Sequence, residues 1–490
     1  MGLMRFLVTP PQAVGPQVAN QVCFAGIDRV AWPARVGIGE GELLLDRAIS
    51  ESGSLLLPWH VKGHGQPILS TASLIERPEP YHLPLELARG TISQLCNQMA
   101  EWQLIGMTIP KPASAKVAES IKQFGHAAVN QEDRTACSRL SQQAIEIALD
   151  ASNQLASAYV EQSMTVRRRV GKLLSFIGGD LGHSPLDNRT AKQFLNTFNA
   201  ALIPLRWRDI EATEGSQSWD LPDKQIAWCA AQGIRVFSSP LLQLDTQGIP
   251  TWLYLWEDDF DNLQSFVNDF VSTTVKRYKG KVNFWQAAGR INGAEVLSLS
   301  EDECLQLTAL VVEQIRSLDP EKPVLMSINQ PWAEYMRGRA IDYPPLHFAD
   351  TLIRGGLEIA GLVLEINLGY TPRGTLPRTL VELSQQLDMW ALLGLPIFVS
   401  ICVPSSHEAD PLAQYQTGFL PEKPNSQSQQ AWVARAVPLI LAKSFVRGVI
   451  WNQLSDNEPH DFPHGGLFDT QGRPKPAMKT LGAIRHAYLK

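Results

Sequence analysis

RYKGKVNFWQAAGR, at residues 277–290, holds one complete unit of the pattern that fills the second half of this chain. Residues 282–285 form a short apolar run that predicts a buried strand, and the unit ends on Arg290. Similar short runs recur from about residue 172 onward and alternate with longer amphipathic stretches. Such alternation is typical of βα units, whose strands form a parallel sheet.

Eight candidate strands can be counted in this region. They lie at residues 173–177, 201–205, 234–238, 282–285, 324–328, 359–364, 397–401 and 446–451. Eight βα repeats predict an α/β fold of the closed (β/α)8, or TIM-barrel, type over residues 172–490. In that architecture chemistry occurs at the carboxyl-terminal strand ends, so the residues there are the candidates for function.

Two other patterns precede the predicted barrel. Residues 1–84 contain short apolar runs separated by Gly, Pro and Ser clusters, which predicts a small β-rich module of the sandwich type. Residues 85–170 carry apolar side chains at helical spacing, which predicts a helical connector that packs within the chain. The chain has 490 residues, more than one hydrophobic core usually supports, so we expect three domains with these bounds.

Composition argues against several classes of function. The net charge is −6 with scattered Lys and Arg, so no basic stripe for nucleic acid is present. The first residues hold no apolar run long enough for a membrane span or an export signal. The six cysteines lie far apart without a C-x-x-C pair, as expected of reduced thiols in the cytoplasm. Because no glycine-rich nucleotide motif appears, no cofactor is predicted.

Several local matches to one family occur in the correct order along the barrel segment. They are LRW at 205–207, EATEG at 211–215, IPTWL at 249–253, RYKGKVNFW at 277–285, IN at 328–329, LFD at 467–469 and PKPA at 474–477. Each match is short, but together they occur about once per strand. Over nearly all of residues 172–490 the chain therefore resembles glycoside hydrolase family 10, the endo-β-1,4-xylanases.

This resemblance implies a retaining mechanism. In such a mechanism one carboxylic acid protonates the leaving oxygen, and a carboxylate about 5 Å away attacks the anomeric carbon. The family's acid, in the motif W-D-V-V-N-E, matches Arg290, and its nucleophile, in I-T-E-L-D, matches Ile401. An arginine releases no proton at neutral pH, and an isoleucine has no nucleophilic atom. The resemblance thus predicts a barrel in which both catalytic glutamates are substituted.

Polar and aromatic residues near the strand ends are candidates for a site. Glu365, at the end of the sixth strand, is the best acidic candidate for catalysis, with an ion pair to Arg206 or Arg290 as the alternative. Other acids near strand ends are Asp180, Asp209, Glu211, Asp245, Glu295 and Asp456. The predicted ligand-binding set is Arg206, Trp207, Gln243, Trp285, Arg290, Asn329, Gln330, Glu365, Asn367, Trp451 and Asn452.

Three functions are compatible with these residues. The first is a xylanase-like barrel that binds an oligosaccharide, or another polar or anionic small ligand, without the retaining catalytic pair. The second is an active glycoside hydrolase with relocated carboxylates such as Glu365, and the third is a structural or interaction protein, with homo-oligomer formation left open. His460 and His464 lie in a Pro-rich loop rather than on a helix, and no metal site is predicted.

Overall fold

The amino-terminal apolar runs form two four-stranded β-sheets. The computed structural model describes residues 2–27, 29–39, 41–47, 50–294, 296–338, 341–418, 420 and 423–490. Its first elements are β1 (Gly2–Leu7), α1 (Pro16–Ala19), β2 (Cys23–Ala25), β3 (Ala31–Trp32), β4 (Ala34–Ile38), β5 (Glu42–Arg47), β6 (Ser54–Pro58), β7 (Ile68–Ser70) and β8 (Tyr81–His82). The strand order is β4-β5-β1-β8 in one sheet and β3-β2-β6-β7 in the other.

Strand β1 shows why this region forms sheets. Met4 and Phe6 are buried while Leu3 and Arg5 face outward, which is the two-residue alternation of a half-buried strand. Phe6 stacks on Tyr81 of β8, with ring centroids 5.7 Å apart. The prediction of a β-rich start is therefore confirmed at the level of secondary structure.

Three long helices follow the sheets. They are α2 (Leu83–Leu104), α3 (Lys111–Val129) and α4 (Arg134–Arg167). The Asp133 carboxylate accepts hydrogen bonds from the first amides of α4, which fixes where this helix begins. Trp102 of α2 stacks on Tyr159 of α4 with ring centroids 4.5 Å apart, so two apolar helix faces are buried against each other.

The remaining elements alternate strands and helices. They are β9 (Phe176–Asp180), α5 (Asn188–Thr197), β10 (Ala200–Ile203), α6 (Trp207–Ile210), α7 (Asp220–Gln232), β11 (Arg235–Gln243), α8 (Phe260–Tyr278), β12 (Phe284–Gly289), α9 (Glu301–Leu318), β13 (Val324–Asn329), α10 (Pro345–Arg354), β14 (Gly361–Asn367), β15 (Tyr370–Thr371), α11 (Leu380–Ala391), β16 (Ile397–Cys402), β17 (Gln416–Thr417), α12 (Ser426–Ala442), β18 (Val446–Trp451) and α13 (Pro476–Tyr488). Short 3-10 helices span Pro11–Ala13, Arg168–Val170, Thr251–Trp256 and Glu334–Gly338.

Eight of these strands close into a parallel barrel. Their order is β10-β11-β12-β13-β14-β16-β18-β9, and the two-stranded β15-β17 sheet lies outside this ring. All eight predicted strands are present, with ends displaced by a few residues, and the predicted (β/α)8 fold is confirmed. The small sheets and the three helices precede the barrel in the chain.

Aromatic side chains fill the amino-terminal part of the barrel interior. Phe237 stacks on Phe284 with ring centroids 4.3 Å apart, and Phe176 and Phe398 pack against them edge to face. The next inward-facing positions toward the other end of the barrel are polar. The apolar layer therefore fills the amino-terminal end of the barrel, and polar groups lie at the carboxyl-terminal end, which is its mouth.

One continuous cluster of buried apolar side chains runs from Met4 in β1 to Leu489 after α13. It includes residues of both amino-terminal sheets, of the three long helices and of the outer face of the barrel strands. The division into domains at residues 84 and 172 stays a prediction. Among the described residues no helix combines the length and the apolar character that crossing a membrane requires.

Replacing Phe237 with Ala tests the aromatic layer. Phe237 is fully buried, so we expect the variant to lose about 3 to 5 kcal/mol of unfolding free energy through lost burial and a cavity. The control is Leu255→Ala, because Leu255 is 82% exposed and its truncation changes stability by about 0.5 kcal/mol or less. Urea unfolding followed by tryptophan fluorescence measures both, and equal stability of the two variants would contradict this packing.

Candidate functional site

The mouth of the barrel gathers charged residues that are distant in the sequence. Arg290 directly follows β12, Glu365 lies near the end of β14, and Asp245 and Asp461 lie on the loops after β11 and β18. Parallel strands end at the same edge of a barrel, so these four side chains meet. All four residues are more than nine-tenths buried.

The Arg290 guanidinium contacts all three carboxylates. One terminal nitrogen, Nη1, lies 2.5 Å from Asp245 Oδ2, and the other, Nη2, lies 2.8 Å from Asp461 Oδ2. Its Nε lies 3.5 Å from Glu365 Oε2. We call Arg290, Asp245, Glu365 and Asp461 the mouth cluster, and it joins the ends of the third, fourth, sixth and eighth barrel strands.

Burial and charge act in opposite directions on the carboxyl groups of the mouth cluster. Burial by itself would raise the pKa of Asp245, but the charge of Arg290 and hydrogen bonds from Gln243 and Arg290 outweigh it and lower the pKa. Burial likewise opposes ionisation of Asp461, and the charges of Arg206 and Arg290 lower its pKa. Both carboxylates are therefore ionised at neutral pH.

Further contacts hold Glu365 and Arg290 in place. The Glu365 carboxylate accepts a hydrogen bond of 2.9 Å from Ser327 Oγ, and Asn367 Nδ2 lies 3.5 Å from it. Arg290 Nη1 donates to Tyr415 Oη at 3.1 Å, and the guanidinium carbon lies 5.8 Å from the ring centroids of Tyr415 and Phe462. The centre of the mouth is therefore filled by protein side chains.

A small polar pocket lies beside the mouth cluster, at the ends of the first, second and eighth strands. Its cavity has a volume of about 20 Å³, which is room for about one water molecule. Its lining includes Asp180, His183, Arg206, Asn452 and Asp461. We call it the strand-1 pocket.

Two acceptor atoms of the strand-1 pocket have no hydrogen-bond partner among the described residues. They are Oδ1 of Asp461 and Oδ1 of Asn452, both shielded from solvent. Arg206 Nη1 lies 3.5 Å from Asp461 Oδ1, an ion-pair distance without hydrogen-bond geometry. Unsatisfied buried acceptors favour a ligand that donates hydrogen bonds.

Asp180 and His183 of the strand-1 pocket also have shifted pKa values. Burial raises the pKa of Asp180 to about 6. The hydrogen bond that its carboxylate accepts from the Gly182 N–H lowers the pKa but is outweighed. Burial would lower the pKa of His183, but the hydrogen bond with Asp209 prevails and the pKa is raised. Asp180 can therefore exchange a proton near neutral pH.

The other predicted polar residues lie at the mouth, but most are engaged by protein groups. Gln243 Nε2 donates to Asp245 at 3.0 Å, and Asn452 Nδ2 donates to Asn367 at 2.7 Å. Asn329 is 1% exposed and its Oδ1 has no partner in the described structure. Gln330 Nε2 donates to Gly374 O at 2.5 Å.

The tryptophans predicted to bind a ligand do not face the mouth. Trp285 is fully buried at the opposite end of its strand, where its indole N–H donates to Asp319 just beyond α9. Trp207 stacks on Phe270 of α8, and the Trp451 indole N–H donates to Gly465 O. Each of the three rings is packed in the core, whereas they were expected near the mouth, and ligand contact by these tryptophans stays a prediction.

Ile401 also differs from its predicted place. It is fully buried within the main apolar cluster, whereas Phe398 of the same strand belongs to the barrel interior. Side chains alternate along a strand, so Ser400 and Cys402 share the inner face with Phe398, and Ile401 faces the helices. The inner position at this strand end is held by Cys402, whose Sγ lies 3.7 Å from Tyr370 Oη.

Several residues of the site were not found from the sequence. They lie on loops after strands, where no periodicity indicates which side chains turn inward. These residues are Asp461, Tyr415, Phe462 and His183. The only signal for Asp461 was an acid between two histidines in the loop after β18. The predicted strand-end acid Glu295 lies outside the described residues.

The fold resembles that of known xylanases. Xylanase 10B from Thermotoga petrophila RKU-1, solved in complex with xylobiose, is 14% identical, with a TM-score of 0.49 and coverage of 68% of this chain and 97% of that chain. Native xylanase 10B from Thermotoga maritima is 14% identical, with a TM-score of 0.48 and coverage of 67% and 97%. A GH10 protein from Paenibacillus barcinonensis is 17% identical, with a TM-score of 0.48 and coverage of 66% and 97%. No family model matches the sequence.

Replacing Arg290 with Met tests the mouth cluster. The variant keeps side-chain length but leaves three buried carboxylates without their cation, so we expect a loss of about 3 to 5 kcal/mol in unfolding free energy. The control is Arg277→Met, which breaks the 2.5 Å ion pair with Asp223 where both side chains are 40% or more exposed. That change costs about 1 kcal/mol or less. Chemical denaturation measures both, and similar losses would refute the role of burial.

Replacing Asp180 with Asn tests its raised pKa. The pKa of Asp180 is about 6 in the folded state and 3.8 in its ordinary environment, so the folded state binds the carboxyl proton more tightly. The unfolding free energy of the wild type therefore falls as the pH rises from about 4 to about 6. We expect the variant to be more stable than wild type by about 3 kcal/mol at pH 7.5 and equal to it near pH 4. Thermal unfolding across pH measures this, with the exposed Asp258→Asn as the control. A pH-independent difference would contradict the assignment.

Proposed function

We propose that this chain is a xylanase-like barrel that binds a carbohydrate, or a related polar or anionic small ligand. We propose further that it lacks the pair of catalytic carboxyl groups of a retaining glycoside hydrolase. The observation that carries the proposal is the mouth cluster. Arg290 and its three carboxylates occupy the centre of the barrel mouth, which in this architecture is the place of the chemistry.

Retaining hydrolysis needs two carboxyl groups on either side of an accessible bond, about 5 Å apart. In this chain the carboxylates at the centre of the mouth face a shared guanidinium instead. Asp245, Glu365 and Asp461 are each held by Arg290 and by at least one further polar group. Displacing Arg290 to admit a sugar would leave buried charges unpaired, which is strongly unfavourable.

Ligand binding is supported by the strand-1 pocket. Sugar hydroxyls donate and accept hydrogen bonds, and the vacant oxygens of Asp461 and Asn452 are suited to accept them. Arg206 adds a cation that can hold a hydroxyl or a carboxylate of the ligand. The cavity of about 20 Å³ holds only a water-sized group, so a sugar ring would enter only if the pocket widened.

One observation favours the second candidate, an active glycoside hydrolase with relocated carboxylates. Asp180 has a pKa of about 6, which is the property of a general acid at neutral pH. Its partner would be Glu365 or another acid at the mouth. The third candidate, a structural or interaction protein, agrees with a filled mouth but leaves the vacant acceptors unexplained.

The proposal includes two further points from the sequence. The three-part division at residues 84 and 172 is supported by the order of the sheets, long helices and barrel. A cytoplasmic location is supported by the six cysteines, which are all free thiols. The oligomeric state stays open.

A glycan screen with a hydrolysis readout tests the proposed function. The purified chain is incubated with xylan and with neutral and acidic oligosaccharides, and both binding and new reducing ends are measured. We expect saturable binding of at least one glycan and no new reducing ends. Arg206→Gln and Asn452→Ala are expected to weaken binding about 10-fold, because each removes polar contacts in the strand-1 pocket.

The control is Arg235→Gln, at the amino-terminal end of β11, which should bind as the wild type does. Release of reducing ends that disappears in Asp180→Asn or Glu365→Gln would establish the hydrolase instead. Absence of both binding and hydrolysis across the screen would favour the structural role.

A further inference from the structure

A second cavity lies across the mouth cluster from the strand-1 pocket. It has a volume of about 190 Å³ and is partly open to solvent. Its walls come from the loops after β12, β13 and β14 and from Gln21 of the amino-terminal region. We call it the junction cavity, because the barrel mouth and the amino-terminal sheets meet there.

Arg373 is the unusual residue of the junction cavity. It is only 9% exposed, yet within the part of the chain that the structure describes its guanidinium makes no hydrogen bond and no ion pair. Its guanidinium nitrogens are not among the solvent-shielded atoms that lack a partner, so they face the open space of the cavity. An arginine that lines a cavity without a partner therefore indicates a ligand that supplies one.

The loop that carries Arg373 holds it in position. Arg373 has a left-handed φ of 70°, a conformation that costs a residue other than glycine about 1 kcal/mol or more. The next residue must be glycine, because a Cβ at Gly374 would lie 2.2 Å from the Tyr370 carbonyl oxygen. Backbone hydrogen bonds between Thr375 and Asn367 and between Gly369 and Thr375 close the loop. Arg373 is thus placed by rigid backbone.

The charges around the junction cavity favour an anion. Arg337 also lines it and donates hydrogen bonds to Asn20 O and Gln21 Oε1. One carboxylate, Glu334, belongs to the lining, but it is already engaged by Arg378 at 3.4 Å and by the Leu376 amide at 3.2 Å. Glu334 Oε2 has no hydrogen-bond partner among the described residues, but two guanidinium groups against one carboxylate leave the described lining with a net positive charge.

Neutral polar groups complete the wall. Tyr335 Oη accepts a hydrogen bond from Asn292 at 3.3 Å, which leaves its own proton available to a ligand. Gln330 and Tyr370 lie beside it in the lining. These groups suit the hydroxyls of a small molecule, while Arg373 suits an oxyanion.

We propose that the junction cavity binds a small hydroxylated oxyanion, a sugar acid or a sugar phosphate, through the guanidinium of Arg373. This site is separate from the strand-1 pocket, and the inference does not depend on the function proposed above. The carboxylate of a sugar acid and the phosphate of a sugar ester present the same paired oxygens to a guanidinium, so the experiment has an arm for each.

Calorimetric titration of the full chain with glucuronate, glucose 6-phosphate and glucose tests the proposal. We expect at least one of the two anions to bind with a Kd at least about 10-fold lower than that of glucose, since a contact to a charged group is worth more than a neutral hydrogen bond. Arg373→Gln should weaken that anion about 10-fold or more. Tyr335→Phe should weaken it about 3-fold to 10-fold, and Arg235→Gln should leave it unchanged.

The thermal midpoint of the ligand-free variants separates binding from structure. Arg373→Gln removes a charge that has no partner, so its midpoint should equal or exceed that of the wild type. The anion should raise the midpoint of the wild type and not that of the variant. The proposal is overturned if neither anion binds more tightly than glucose, if Arg373→Gln binds the anion within twofold of wild type, or if the ligand-free variant melts several degrees lower.

Discussion

The attraction between Arg290 and three buried carboxylates is the interaction on which the mouth of this barrel depends. Charges removed from water are stable only when they are paired at close range and hydrogen-bonded. Arg290 binds Asp245 and Asp461 directly and reaches Glu365, while Gln243 donates to Asp245, Ser327 donates to Glu365 and Tyr415 accepts from Arg290. Removal of Arg290 would leave three buried carboxylates without their shared cation. The cluster therefore behaves as one unit.

This unit also determines where ligands can bind. Because it joins the ends of the third, fourth, sixth and eighth strands, it fills the centre of the mouth, and the strand-1 pocket and the junction cavity lie on either side of it. The strand-1 pocket has vacant acceptors on Asp461 and Asn452, and the junction cavity has a vacant donor on Arg373. The two spaces therefore differ in polarity: the first suits groups that donate hydrogen bonds, and the second suits an oxyanion.

The fold was predictable to a large extent, and the site only in part. Buried parallel strands are continuous apolar runs, so all eight could be found from the sequence, although their ends moved by a few residues. That small displacement matters at the site, because side chains alternate along a strand. Ile401 was expected at the mouth and faces the helices, whereas Cys402 faces inward. Three tryptophans that were expected near the mouth lie in the core instead: Trp285, Trp207 and Trp451. Arg290, Glu365, Asn367 and Asn452 were expected at the mouth and do meet there.

The amino-acid sequence by itself determined the number, order and type of the elements, since apolar periodicity and turn residues act over a few neighbouring positions. It also placed an arginine at the end of the fourth barrel strand. Only the tertiary structure decided that Asp245, Glu365 and Asp461 converge on that arginine, although Asp461 lies 171 residues away along the chain. Closure of the barrel brings distant loops within hydrogen-bond distance, and no local pattern records which loop side chains then point inward. For the same physical reason the unpaired Arg373 could be recognised only after folding had buried it.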